Sequence, residues 1–214
     1  MRAAILLAVF LGIWCCGAPA DAQIADYWGF SNYPLTVGLQ MHQEGFVVQM
    51  FAPLTYDMGT YQYTYAAQGM VLSQIVPLGP SRAYTYLGGT FSIYEDASHN
   101  AVYDDSPCSL SAPETFTDGT LYLQATVDTL TWIYNTMTQR GSYDAVVTYV
   151  GGTHLSELPL NCRQGALFGG TTGLSCTACI PSGYNHRWDG QAFFIQGPTA
   201  AEESSWGSVK QLFK

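Results

Sequence analysis

The sequence predicts an all-β protein, an antiparallel β-sandwich of jelly-roll type with at most one or two short helices. Three observations carry this expectation. Glycine and proline, 22 and 10 residues, punctuate the chain at short intervals. The segments between them are rich in Val, Thr, Tyr, Phe and Leu and repeatedly alternate with a period of two. Charged residues make up only 11% of the chain, against about 25% in ordinary globular proteins, so Thr, Ser, Gln, Asn, Gly and Tyr must supply much of the surface.

Met1 to Ala22 has the three parts of a secretory signal: Arg2, an apolar run from Ala3 to Trp14, and small residues Gly17, Ala18, Ala20 and Ala22. The run is shorter than the roughly 20 residues a membrane span needs. Cleavage is expected after Ala20 or Ala22, and the mature chain is expected outside the cytoplasm, secreted or at the cell surface, with the periplasm as a further compartment. The expected division is residues 1–22 signal, 23–197 domain and 198–214 tail. The domain length suffices for one core. No second long apolar run follows, so no membrane span is expected. A net charge of −9 repels phosphate backbones and argues against a nucleic-acid partner.

Along the chain, Leu35–Met41 and Gly45–Phe51 read as two strands about a connection at His42-Gln43-Glu44. Tyr61, Tyr63 and Tyr65 share one strand face. Gly69–Pro77 continues as a strand, and Tyr84–Tyr94 is a strand broken at Gly88-Gly89. Thr117-Asp118-Gly119-Thr120 is a turn. Leu121 to Asp128 and Tyr143 to Tyr149 alternate and form a hairpin across a loop at Asn135–Gly141. A short turn capped by Thr153 ends at Pro159. Asp189-Gly190 turns into a last strand, Ala192–Gln196. In the tail, Trp206, Val209 and Phe213 make an apolar stripe at helical spacing.

The segments Tyr61-Gln-Tyr-Thr-Tyr65, Tyr86-Leu-Gly-Gly-Thr-Phe-Ser-Ile-Tyr-Glu-Asp96, Phe116-Thr-Asp-Gly-Thr-Leu-Tyr-Leu123 and Gly183-Tyr-Asn-His-Arg-Trp-Asp-Gly190 together resemble exported bacterial proteins of the PEP-CTERM type. That resemblance implies a β-rich protein sorted to the cell surface or matrix. The chain departs from the pattern at its C-terminal end: Ser205 to Lys214 stands where the Pro-Glu-Pro motif, apolar helix and basic end would lie.

The candidate chemistry is sparse. Cys108, Cys162, Cys176 and Cys179 follow the signal, and an even count in an exported chain reads as disulfides. Three pairings exist. The first expectation is Cys176–Cys179, which closes a small loop, with Cys108–Cys162. A zinc site and a redox Cys-x-x-Cys are the weaker alternatives. Glu95, Asp96, Asp104, Asp105 and Asp118 gather on loops with no Lys or Arg between Arg82 and Arg140, the oxygen chemistry that Ca²⁺ requires. A solvated acidic loop is the rival reading. Tyr61, Tyr63 and Tyr65 are candidate sugar-stacking rings, against a plain role in the core. His186-Arg187-Trp188-Asp189 is a dense cluster, read as a turn with Trp188 in the core. Neither Gly-x-Ser-x-Gly nor His-Glu-x-x-His occurs.

The expectation is therefore a secreted, non-enzymatic surface or matrix component. A carbohydrate-binding module and a secreted hydrolase are the alternatives. The expected partners are an extracellular polysaccharide, or a surface or secretion partner reached through the tail.

Overall fold

The computed structural model describes residues 22–173 and 179–194. Residues 1–21 of the expected signal, Cys176, the end of the expected last strand (195–196) and the tail lie outside the described residues. The unit Gln23–Phe194 is described by itself.

The described residues form eleven strands: β1 Ala22–Asn32, β2 Gln40–Met50, β3 Gln62–Leu78, β4 Ser81–Leu87, β5 Thr90–Asp96, β6 Tyr103–Asp105, β7 Cys108–Leu110, β8 Thr120–Asn135, β9 Arg140–Gly151, β10 Ala166–Gly173 and β11 His186–Phe194. The all-β expectation holds, with three short 3₁₀ turns as the described helical elements. The sandwich does not. Nine strands join into one sheet in the order β2-β1-β11-β10-β9-β8-β4-β3-β5, and β2–β3 and β8–β5 pairings complete it. β4 and β5 occupy one position, since β3 and β8 each pair with both. The result is an eight-position antiparallel barrel. Period-two patterning is common to sandwiches and barrels, so alternation alone could not show closure.

The glycines set several boundaries. Gly88 and Gly89 have φ of 70° and 89° and allow the break between β4 and β5. Two cross-strand glycine pairs, Gly29 opposite Gly45 and Gly170 opposite Gly190, clear room inside the wall. A side chain on Gly29 would strike the Tyr65 hydroxyl, and one on Gly170 or Gly190 would strike the Tyr143 hydroxyl.

The interior is filled by rings. Tyr27, Tyr33, Tyr65, Tyr84, Tyr86, Trp132, Tyr143 and Trp188 are essentially inaccessible to solvent. Tyr143 stacks on Trp188 with ring centres 3.4 Å apart, and Tyr33 on Trp132 at 4.2 Å. Tyr27 and Tyr143 share a hydroxyl–hydroxyl hydrogen bond of 3.2 Å, and Trp132 Nε1 donates to Thr172 Oγ1 at 2.8 Å. Burial raises the Tyr33, Tyr65 and Tyr143 hydroxyls well above their ordinary range, so all three stay protonated and uncharged.

Several local readings need correction. Residues 40–50 form one continuous strand, not two about a turn at His42–Glu44, because Met41, Gln43, Gly45 and Val47 keep a strict inward period. Asp189 and Gly190 lie inside β11 rather than in a turn; Gly190 is there to admit the Tyr143 ring, while Trp188 is buried as expected. The Thr153 turn exists as a 3₁₀ turn at Leu155–Glu157, but no side chain caps it.

At one mouth the loop 51–61 meets residues 152–158. Tyr122 donates its hydroxyl to Thr55 O at 2.9 Å. His154 stacks on Tyr122 at 4.0 Å and meets Glu157 Oε1 at 3.1 Å. Burial would raise the Glu157 carboxyl, but the Thr55 N–H and His154 outweigh it and hold the pKa below its ordinary value.

A candidate crevice beneath an outer strap

The segment joining β5 to β8, residues 97–119, runs across the outside of the barrel. It carries the β6–β7 hairpin and the 3₁₀ turn Pro113–Phe116. Beneath it, the outward faces of β1 and β2 are aromatic rather than polar. Trp28, Phe30 and Phe46 point out while Tyr27, Gly29 and Ser31 point in. Tyr103 of the strap packs on Phe30 at 4.9 Å and Trp28 at 5.5 Å, and Phe116 on Phe46 at 5.3 Å. Arg187 lies 4.9 Å over the Trp28 ring. Thr64 Oγ1 donates to Phe116 O at 2.9 Å, and Gln62 Nε2 to Ala101 O at 2.8 Å. The strap thus closes a second, smaller core outside the barrel.

A disulfide between Cys108 and Cys179 ties the strap to the loop leading into β11. This corrects the expected Cys108–Cys162 and Cys176–Cys179 pairing. Cys162 is buried and unpaired among the described residues, its thiol pushed up by burial. Sequence spacing favoured the near pair, whereas the fold brings the strap and the pre-β11 loop together across 71 positions. Peptide mapping without reduction should recover a fragment joining Cys108 to Cys179; a Cys108–Cys162 fragment would overturn this arrangement.

Between strap and loop lies a crevice of about 330 Å³. His42 and Tyr184 meet at its base, their rings 5.6 Å apart. Ser109 and Ser111 line one side, Pro181 and Ser182 the other. Tyr184 donates its hydroxyl to the carboxylate of Glu44, which is buried beneath it. That bond fixes the tyrosine ring. Tyr184→Phe is expected to cost about 2 kcal/mol, since it strips the partner from a buried carboxylate; urea unfolding measures this.

The acidic candidates do not assemble. Asp96 accepts the Ser98 N–H at 2.7 Å, Asp104 the Ser106 N–H at 2.9 Å, Asp118 the Asn100 side chain at 2.8 Å, and Glu95 the Tyr63 hydroxyl at 2.5 Å. Asp96 and Asp104 hold their own loops, Asp118 ties the two ends of the strap, and Glu95 on β5 meets β3. Asp105 lies exposed on β6. No three His, Cys, Asp or Glu side chains converge to hold a metal among the described residues. The sugar-stacking tyrosines are corrected too. Tyr63 and Tyr65 are buried inside the barrel, and Tyr61 is partly buried against the same core.

Sequence reasoning missed Trp28, Phe30, Glu44, Phe46 and Tyr184. One signal was present: the unbroken apolar run Tyr27-Trp-Gly-Phe30 marks a strand covered on both faces. Comparison of the chain with protein-family models, curated proteins and solved structures found no match.

Proposed function

We propose that the protein is an exported, non-enzymatic β-barrel, a cell-surface or matrix component that recognises its partner at the outer crevice. The packed interior carries this reading. Stacked aromatic rings occupy the space in which other eight-stranded barrels hold a ligand, which leaves recognition to the outer surface. The disulfide supports an oxidising compartment. No helix among the described residues is long and apolar enough to cross a membrane. On β9 the outward positions run Ser142, Asp144, Val146, Thr148 and Val150, a mixed face, while Tyr143, Ala145, Val147 and Tyr149 face inward and are buried. A buried apolar interior behind a mixed outer wall differs from a lipid-facing barrel, whose outer band is apolar and whose lumen is polar.

The crevice favours a saccharide as the recognised group. A tyrosine ring held rigid by Glu44 lies beside an imidazole and the hydroxyls of Ser109 and Ser182. Rings that cover an apolar sugar face, with hydroxyls that bond its edge, are the expected pairing. An array of purified extracellular polysaccharides tests this. Binding by the full oxidised chain should be lost in Ser182→Trp, which fills the crevice, with the melting temperature unchanged. No binding across the array, or binding that survives Ser182→Trp, would remove the saccharide reading. Turnover in glycoside, ester or peptide panels would remove the non-enzymatic one.

A further inference from the structure

The crevice wall formed by residues 179–185 runs directly into His186, a histidine sealed at the barrel mouth opposite the 152–158 turn. Its ring is boxed by Tyr33, Trp132 and Tyr134, with centres at 5.6, 4.9 and 5.1 Å, all near-perpendicular to it. Nδ1 meets Asn185 Oδ1 at 2.8 Å. That oxygen also accepts the Tyr33 N–H at 2.9 Å, and Asn185 Nδ2 donates to Tyr33 O at 2.9 Å. These bonds fix the amide orientation, so Nδ1 carries the proton. Nε2 is then a bare lone pair, buried and without a partner.

We propose that the crevice wall is released by acid, with protonation of His186 as the trigger. An imidazolium in this box would place a second N–H against aromatic rings with no acceptor, and its charge in an apolar site. The only relief is for the segment to leave. What would leave with it is specific. The Asn185 N–H bond to Ser31 O at 3.0 Å, the Asn185–Tyr33 bonds and the Tyr184–Glu44 bond all lie within two residues of His186. The disulfide at Cys179 would keep the released wall attached to the strap.

The groups facing His186 leave it as the titrating member of the box. Tyr33 and Tyr134 are both raised above their ordinary value by burial and stay neutral. Arg187, next in the chain, lies over Trp28 outside the barrel. Glu44 meets Tyr184. Burial lowers the His186 pKa from 6.5 to about 4. Above pH 6.5 the closed and open forms are both neutral and pH has no effect. Between 6.5 and 4 only the open form gains the proton, so closure weakens as pH falls. Opening should rise about 100-fold from pH 7 to pH 4.

The purpose of this device rests on the crevice being a recognition site, but its test needs no ligand. Native-state hydrogen exchange of the full oxidised chain, corrected for intrinsic rates, is followed at the Tyr33, Tyr184 and Asn185 amides. Protection should fall about 100-fold from pH 7 to pH 4, with the β8–β9 amides unchanged. His186→Phe fills the box without a titrating group and should abolish the fall; His186→Gln serves if the larger ring does not fold. Glu44→Gln should leave the fall in place. Undiminished protection in the wild type at pH 4, an equal fall in the His186 variants, or loss of the fall in Glu44→Gln would each overturn the proposal. A barrel that binds no saccharide yet shows the His186-dependent fall would separate failure of the recognition reading from failure of this one.

Discussion

Gly190→Ala is expected to destabilise the barrel by about 3 kcal/mol, at the upper end of what overpacking costs. The added methyl would overlap the Tyr143 hydroxyl and crowd Tyr27, whose hydroxyl would lie 2.9 Å away. Neither ring can retreat: Tyr143 is stacked on Trp188 at 3.4 Å, and Tyr27 is packed against Tyr65 and Phe91. Urea unfolding should show a lower midpoint with an unchanged slope. Tyr143→Leu in the Gly190→Ala background should cost less than the sum of the two single changes, because residues in contact are coupled. A midpoint within experimental error of the wild type would mean that Tyr143 does not occupy the wall at this glycine pair.

The second large effect belongs to the strap. Replacing Cys108 and Cys179 together by serine should lower stability by about 4 kcal/mol. The estimate is the loop-closure entropy for a cross-link spanning 71 positions. Thermal unfolding of the double variant should match that of the reduced wild type. A loss under about 1 kcal/mol would mean that Tyr103, Phe116 and the Gln62 and Thr64 bonds hold the strap unaided.

Much of the strand content was legible because alternation is a local signal. Leu123 to Val127 and Tyr143 to Tyr149 face alternately in and out, as their spacing requires, whereas the register shift against β5 buries Tyr122 beside Leu123 and breaks the expected alternation there. Closure was not legible. It depends on β1 meeting β11, and no residue of either strand signals its partner. Tyr63 and Tyr65 share one face of β3, but local spacing does not say whether that face meets solvent or core; for Tyr65 the core is made possible by the Gly29–Gly45 pair across the wall. The acidic run was real, yet Glu95, Asp96, Asp104 and Asp118 are each met by a nearby donor while Asp105 stays exposed. The crevice was hidden because His42, Ser109 and Tyr184 come from three distant segments. Only the fold brings them together.

The pairing of the first strand with the last has a consequence in time. The hairpins β8–β9, β9–β10 and β10–β11 join neighbours in sequence and can form early. The β1–β11 seam joins positions about 160 residues apart in the chain and must form late, since distant contacts are slow to find. Until it does, two long strands offer unpaired backbone to any passing chain. Refolding should therefore lose yield steeply as protein concentration rises. A chain shortened before β11 should aggregate rather than persist as an open sheet, which light scattering during dilution from urea would record.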